Sequence, residues 1–159
     1  YSVCGGEIGA QAKWNNGFGA RLTYAYTKEQ LAKDKNGNTI NNQYIPAREH
    51  ALNARVDFDR QLTKTYGLNI ALQGRVLSGV ENVEYKDYYD VSKGTISVEY
   101  PAYTIWKLSV VQRVGKAVKV NVALDNLFGY KPKYYYLNSP ITDGINLQIG
   151  MSIDIDKIF

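Results

Sequence analysis

Apolar and polar residues alternate one by one along most of this chain. Near the C-terminal end Ile145, Leu147, Ile149, Met151, Ile153 and Ile155 interleave with Asn146, Gln148, Gly150, Ser152, Asp154 and Asp156. The same rhythm sets Leu52, Ala54, Val56 and Phe58 against Asn53, Arg55, Asp57 and Asp59, and Leu68, Ile70 and Leu72 against Asn69, Gln73 and Arg75. It returns in Val118, Val120, Val122 and Leu124, and near the start in Phe18, Leu22, Tyr24 and Tyr26. A helix would scatter such residues around its whole surface, whereas a strand puts them on opposite faces. The pattern predicts an all-β fold of about seven strands, near residues 5–14, 17–28, 50–62, 67–79, 103–114, 117–128 and 145–158.

The connections alternate as well. Asn15-Asn16-Gly17, residues 63–67 and Val114-Gly115-Lys116 carry tight-turn chemistry, whereas 29–49, 81–102 and 129–144 are long and polar. An antiparallel up-and-down sheet with this rhythm has its short turns at one end and its long loops at the other, the arrangement of transmembrane β-barrels. The predicted strands also reach the roughly 9–11 residues that a tilted membrane strand needs.

Periodicity does not fix which face points outward, because a soluble lipocalin-like barrel alternates in the same way with its apolar side inside. Three features favour the membrane. Charged and amide groups recur on the polar face of strand after strand, as a wet lumen permits. Aromatics gather towards strand ends (Trp14, Phe18, Tyr24, Tyr26, Tyr66, Tyr103, Trp106, Phe128), as interfacial girdles do. The last strand alternates to the terminal Phe159. With short turns periplasmic, that strand ends in the periplasm and the first of the predicted strands starts on the outer side. Bacterial barrels of this kind have an even strand number, so the odd count predicts a piece of a larger barrel.

Composition narrows the function classes. The 159 residues carry a net charge of +4, with a single His and a single Cys. No stretch approaches the roughly 20 apolar residues of a membrane helix. No positively charged segment followed by an apolar run opens the chain, which suits a mature protein, a fragment or a cytosolic product. A His-based catalytic relay or a multi-thiolate metal site is not expected, and no phosphate loop, HExxH or GxSxG element is present, so no enzyme and no cofactor are expected. The basic residues are scattered with no nucleic-acid reader motif. Cys4 is read as a small buried apolar residue or as half of a disulfide to a partner outside this chain.

Several segments taken in order resemble late strands of TonB-dependent outer-membrane receptors: Gly6-Glu7, Leu22 to Lys28, Ile45 to His50, and Tyr103 to Val114 followed by Gly115-Lys116. The most specific is Val122-Ala123-Leu124-Asp125-Asn126-Leu127-Phe128-Gly129-Tyr130, similar to the "V-x-N-L-F" run of that family's penultimate strand. The resemblance spans essentially the whole chain and implies that residues 1–159 are the C-terminal part of a plugged barrel of about 22 strands. Plug and earlier strands are absent from this chain. It implies residence in the bacterial outer membrane, long loops extracellular and C-terminus periplasmic. It further implies uptake of a scarce nutrient: haem, an iron–siderophore, cobalamin or another metal chelate. The implied partners are the rest of the receptor, the TonB complex reached through the missing N-terminal part, membrane lipid, a surface lipoprotein and the nutrient itself. Phe159 would be the barrel-assembly signal.

The site residues follow from chemistry and parity. Tyr85, Tyr88, Tyr89, Tyr134 and Tyr135 crowd the long loops, and flat rings with a hydroxyl tip suit planar ligands by stacking and hydrogen bonding; they equally suit loop packing or lipid headgroups. Arg21, Arg55, Asp57, Arg75, Asp125 and Asp154 are assigned to the lumen, against the plug and water. His50 is an axial-ligand type, yet its parity places it with Leu52 and Val56 on the lipid side near the outer rim. Glu81, Glu84, Asp87 and Asp90 lack calcium-loop spacing, so no metal site is expected. A small complete outer-membrane barrel, acting as an adhesin or structural protein, is the alternative.

Overall fold

The computed structural model describes residues 2–30, 35–36, 47–132 and 142–158. Among them the strands are β1 (Ser2–Lys13), β2 (Phe18–Gln30), β3 (His50–Thr63), β4 (Tyr66–Leu77), β5 (Val80–Tyr85), β6 (Thr95–Tyr100), β7 (Tyr103–Val114), β8 (Val118–Asp125) and β9 (Asn146–Ile153). Seven form one antiparallel sheet in the order β1-β2-β3-β4-β7-β8-β9, while β5 and β6 pair only with each other. The up-and-down order expected from the alternating connections is therefore observed. The sheet does not close: β1 and β9 are its two edges.

The register converts the sequence pattern into transverse rows. Ala12, Ala20, Val56, Leu72, Leu108, Leu124 and Leu147 stand directly opposite one another across all seven strands. Phe18, Phe58, Ile70, Val110, Val122 and Ile149 form the next apolar row. Between them lies Lys13, Gly19, Asp57, Ala71, Ser109, Ala123 and Gln148, polar or small throughout. Because side chains alternate strictly along a strand, these rows belong to opposite faces.

The apolar face has no protein cover. Ile8 is 71% exposed, Ile149 70% and Met151 66%, and the buried apolar residues among those described are Ala71, Leu77 and Tyr100. The opposite, polar face is concave and carries a groove of about 610 Å³ lined by Arg21, Asn53, Arg55, Arg75 and Lys107, among others. A soluble barrel would put its apolar rows on the concave side. Leaving a large aliphatic side chain in water instead of burying it costs about 1.5–3 kcal/mol. Repeated over several rows, that cost is met only by hydrocarbon around the convex face. The sheet is the wall of a transmembrane barrel.

The turns show why the chain reverses where it does. At Trp14–Gly17 the backbone closes through Trp14 N–H to Phe18 O (2.8 Å) and Gly17 N–H to Trp14 O (3.2 Å), and Gly17 takes φ +99°. That φ favours glycine. Gly74 serves a different purpose on the lipid side. The Trp106 ring of the neighbouring strand lies flat over it, so close that a Cβ there would sit 2.2 Å from Trp106 Cδ2. Trp106 also meets the edge of Phe128 (centroids 6.5 Å, 76° between planes) and bonds Thr104 Oγ1 through Nε1 (2.6 Å).

Two details differ from the sequence expectation. The stretch expected as a long polar loop, 81–102, is largely taken up by the β5–β6 hairpin, which lies between β4 and β7 in the chain and pairs with neither. Its alternation is mixed: Asn82 and Glu84 share the face of Val98 and Ile96, so no apolar face signals a strand. The last strand ends at Ile153 rather than 158, because β8, its pairing partner, begins at Val118. Asp154 N–H still bonds Ala117 O (2.8 Å), and the chain then closes into a 3₁₀ turn over Ile155–Lys157.

The two faces of β9 therefore tolerate charge differently. Ile149→Arg, on the lipid side, is expected to lower barrel stability in the bilayer by about 2–4 kcal/mol, whereas Gln148→Arg, facing water, costs far less. Reversible unfolding of the assembled barrel in lipid vesicles checks the contrast.

Candidate functional site

The polar face is organised around one row. Gln11, Arg21, Arg55, Gln73 and Lys107 stand opposite one another across β1, β2, β3, β4 and β7. The row continues through the Lys107 Nζ–Asp125 Oδ1 ion pair (3.1 Å) to Asn146, opposite Asp125 on β9. Arg21 Nη2 donates to Gln11 Oε1 (3.2 Å), Arg55 Nη1 to Gln73 Oε1 (3.2 Å) and Gln148 Nε2 to Asp125 Oδ2 (3.2 Å). Asp57 accepts from Arg55 Nε at 3.4 Å. Arg75 sits one polar row further towards the long loops, opposite Asn53 and Ile105. Nearer the short turns Arg113 Nη2 bonds Asp59 Oδ1 (2.9 Å). Solvent-exposed pairs of this kind contribute about 0.2–1 kcal/mol each, so the row is not the origin of the wall's stability.

Five of the six residues assigned to the lumen lie on this face: Arg21, Arg55, Asp57, Arg75 and Asp125. Asp154 lies one residue past β9, ion-paired with Lys157 (3.0 Å). Gln11, Gln73 and Lys107 complete the row and were not singled out in the sequence. Their position follows only from strand register, which one sequence does not provide.

The long-loop rim holds a second cluster. Asn126, just past β8, is 4% exposed with φ +53°. Its Nδ2 lies within bonding distance of Tyr130 O (2.7 Å), Thr142 Oγ1 (3.0 Å) and Gly144 O (3.1 Å), and its Oδ1 accepts from Tyr130 N–H (2.8 Å). One side chain thus ties together both ends of the last long connection. Tyr130 stacks on Tyr103 (5.1 Å, 18°), and the Arg48 guanidinium lies over the Tyr103 ring (4.8 Å) while donating to Ser78 O (2.6 Å) and Pro101 O (2.7 Å). Three long connections are joined at this point. The strand expected to run to 128 ends at Asp125, with Asn126 and Gly129 at positive φ; Asn and Gly, the residues that adopt it readily, are the sequence signal that could have marked this turn.

His50 belongs to the rim as well. Its Nδ1 is 2.7 Å from Tyr24 Oη, and its ring lies 5.2 Å from that of Tyr26. These tyrosines are lipid-side residues, so the imidazole is held in an aromatic girdle, as parity indicates.

The β5–β6 hairpin presents the tyrosines of its connection. Tyr85 closes β5, opposite Thr95, and Tyr88 (62% exposed) and Tyr89 (fully exposed) stand at the tip. Asp87 fixes that tip: Oδ2 accepts from Lys93 Nζ (2.6 Å) and Oδ1 from Tyr89 N–H (2.9 Å). The Lys93 ammonium, then the Tyr89 amide, hold the Asp87 carboxyl below its ordinary value of 3.8. Asp90 caps the short 3₁₀ turn through Ser92 N–H (3.2 Å). Tyr134, Tyr135 and Phe159 lie outside the described residues.

Both clusters are testable. Asn126→Ala leaves buried acceptors unpaired at about 1–3 kcal/mol each, so hydrogen exchange at the Tyr130 amide is expected to accelerate while strand amides of β3 and β4 keep their rates. For Asp87, a folded value below the unfolded one means its stabilisation is present above about 3.8 and is lost as pH falls through the lowered folded value. Exchange at the Tyr89 amide is accordingly expected to stay slow down to that range and to accelerate at neutral pH in Asp87→Asn.

The comparisons with known proteins agree with this architecture. The structure is similar to the FrpB iron transporter from Neisseria meningitidis (F3-3 variant), with TM-score 0.60 and 16% sequence identity, over 92% of this chain and 22% of that one. At that identity the likeness speaks for the fold. The chain spans under a quarter of the length of that transporter. No curated protein matches the chain. The family of TonB dependent receptor-like β-barrels matches over residues 4–127, most of the described wall. The chain belongs to the TonB-dependent receptor β-barrel family of the bacterial outer membrane.

Proposed function

We propose that this chain is the C-terminal wall of a TonB-dependent transporter that takes up haem or another iron or metal chelate, such as a siderophore complex or cobalamin. The observation that carries the transport reading is the concave polar face of a family-matched barrel wall, with water-compatible side chains at the level of the central row. A small complete barrel would have to pair β1 with β9, and these are opposite edges of the sheet. Iron transport by FrpB is a property of that protein. Here the cargo reading rests on Tyr85, Tyr88 and Tyr89, held on a turn whose backbone is pinned by Asp87 and Asp90, so that little ordering is needed when a flat ligand stacks on them. Tyr134 and Tyr135 of the last long connection would face the same entrance. Arg21, Arg55, Asp57, Arg75 and Asp125 would contact the plug and the wet lumen, and Asp154 would stand at the lumen's short-turn end. Phe159 would be read during barrel assembly.

In this reading the long connections are extracellular and the C-terminus is periplasmic. The remaining strands and the plug belong to the same receptor, the TonB complex supplies energy through the plug side, and a surface lipoprotein shares the loops. No catalytic role is proposed. Cells deprived of iron and offered haem or a ferric siderophore as sole iron source, and cells that require cobalamin offered it as sole source, test the cargo. Loss of the receptor is expected to abolish growth on one of them. Tyr88→Ala with Tyr89→Ala is expected to weaken equilibrium binding of that cargo by about tenfold or more, the usual loss for truncated aromatic anchors. Unchanged growth on all three sources would overturn the reading.

A further inference from the structure

The β5–β6 ribbon is tied internally along its whole length. Its ladder runs from Val80–Tyr100 to Tyr85–Thr95, the Tyr100 hydroxyl bonds Glu84 Oε1 across the strands, and Lys93 holds Asp87 near the tip. Its attachment to the wall is different. The last wall pair is Leu77–Tyr103 and the first ribbon pair is Val80–Tyr100. Between them Ser78–Gly79 faces Pro101–Ala102, and no main-chain hydrogen bond joins these two segments. Proline has no N–H to contribute to a ladder. Ser78 stays with the wall, its N–H bonding His50 O (2.9 Å).

Arg48 spans this gap from a third connection. Its Nη1 donates to Ser78 O (2.6 Å) on one segment and to Pro101 O (2.7 Å) on the other. The guanidinium rests on the ring of Tyr103, the first residue of β7, and Tyr130 stacks against that ring (5.1 Å). A wall residue thus carries the cation that grips the base of the ribbon. Bonds from a charged donor are about twice as strong as neutral ones, so the grip is firm. It also has a cost, because Arg48 Nε is buried with no hydrogen-bond partner among the described residues. Water would relieve that cost if the group swung out. A stiff ribbon, a break in the ladder and one releasable clasp across the break make a hinge.

We propose that Ser78–Gly79 and Pro101–Ala102 form a hinge for the β5–β6 ribbon, and that Arg48 is its latch. Arg48 is then a positioning residue for Tyr88 and Tyr89, a role that rests on the transporter reading above. The hinge and the latch themselves rest on the geometry of the gap.

The test uses the intact receptor, with Cys4→Ser and any other cysteine likewise replaced. Spin labels are placed through Lys64→Cys in a short turn and Val91→Cys beside the hairpin tip, both exposed positions. The distance between the labels is read without cargo. A single narrow distance is expected with Arg48 in place, and its loss to a broad distribution in Arg48→Met. Arg48→Lys is expected to fall between, since an ammonium keeps the charge but cannot both bridge the carbonyls and stack on Tyr103. Amide exchange along the β5–β6 ladder is expected to stay slow in every variant. Affinity for whichever of haem, the ferric siderophore and cobalamin supports growth is expected to fall about tenfold in Arg48→Met, because Tyr88 and Tyr89 must then be ordered on binding. An unchanged distance in Arg48→Met would overturn the latch, and fast exchange throughout the ribbon would overturn the hinge. A broadened distance with unchanged affinity would overturn the positioning role. Should Arg48→Met fail to assemble, Arg48→Lys decides. If none of the three cargos supports growth, the transporter reading fails, and the cargo-free distances still decide the latch.

Discussion

Every other feature of this wall depends on the pairing of main-chain N–H and C=O groups between neighbouring strands. In hydrocarbon an unpaired amide costs several kcal/mol, and no water is available to relieve it. The ladder from β1 to β9 meets that demand along each interior strand. Once the ladder is set, its register leaves no freedom in where side chains point. Apolar rows such as Ala12 to Leu147 and polar rows such as Gln11 to Lys107 are two consequences of a single set of hydrogen bonds. Stability, in this view, lives in the ladder and the lipid contact, and the concave face is released from structural duty. It can carry arginines that a packed core would exclude.

The rim solves a different problem. Where β8 ends at Asp125, the chain leaves the ladder and its polar groups need new partners. Asn126 supplies them from one side chain, and Arg48 does the same for the carbonyls of Ser78 and Pro101 at the base of the hairpin. The aromatic pair Tyr103–Tyr130, with the guanidinium above it, joins these two hubs. The described ends of the long connections thus meet in one hydrogen-bonded collar, while Tyr88 and Tyr89 stand exposed at the hairpin tip. Loops are commonly arranged this way, with variable parts held on a fixed base.

Much of this was legible in the sequence because period-two alternation is a direct image of a two-faced strand. The seven wall strands, their antiparallel order and the polar character of the face bearing Arg21, Arg55 and Asp57 all follow from it. The β5–β6 hairpin was not legible, since its polar and apolar residues are not sorted by face: Asn82 and Glu84 share a face with Val98 and Ile96. Nor were the partners within the central row. Gln11, Gln73 and Lys107 look like ordinary polar strand residues until register sets them beside Arg21 and Arg55. The Asn126 cluster belongs with them. The strand expected over 117–128 ran through Asn126, whose left-handed turn ends β8 at Asp125, and the carbonyls it serves, some far along the chain, were not visible either.

The transverse rows also govern which changes of length the gene encoding this wall can absorb. Removing one residue at the start of β4 would put Asn69, Ala71 and Gln73 where Leu68, Ile70 and Leu72 meet the lipid, and the partner rows that follow would be mismatched at once. Between Lys86 and Gly94, by contrast, added residues touch no row, and doubling such a connection costs only about 0.6 kcal/mol in closure entropy. Length variation is therefore confined to the connections above the collar. A lineage of such barrels can reshape the hairpin tip by insertion and deletion, leaving the membrane wall in frame.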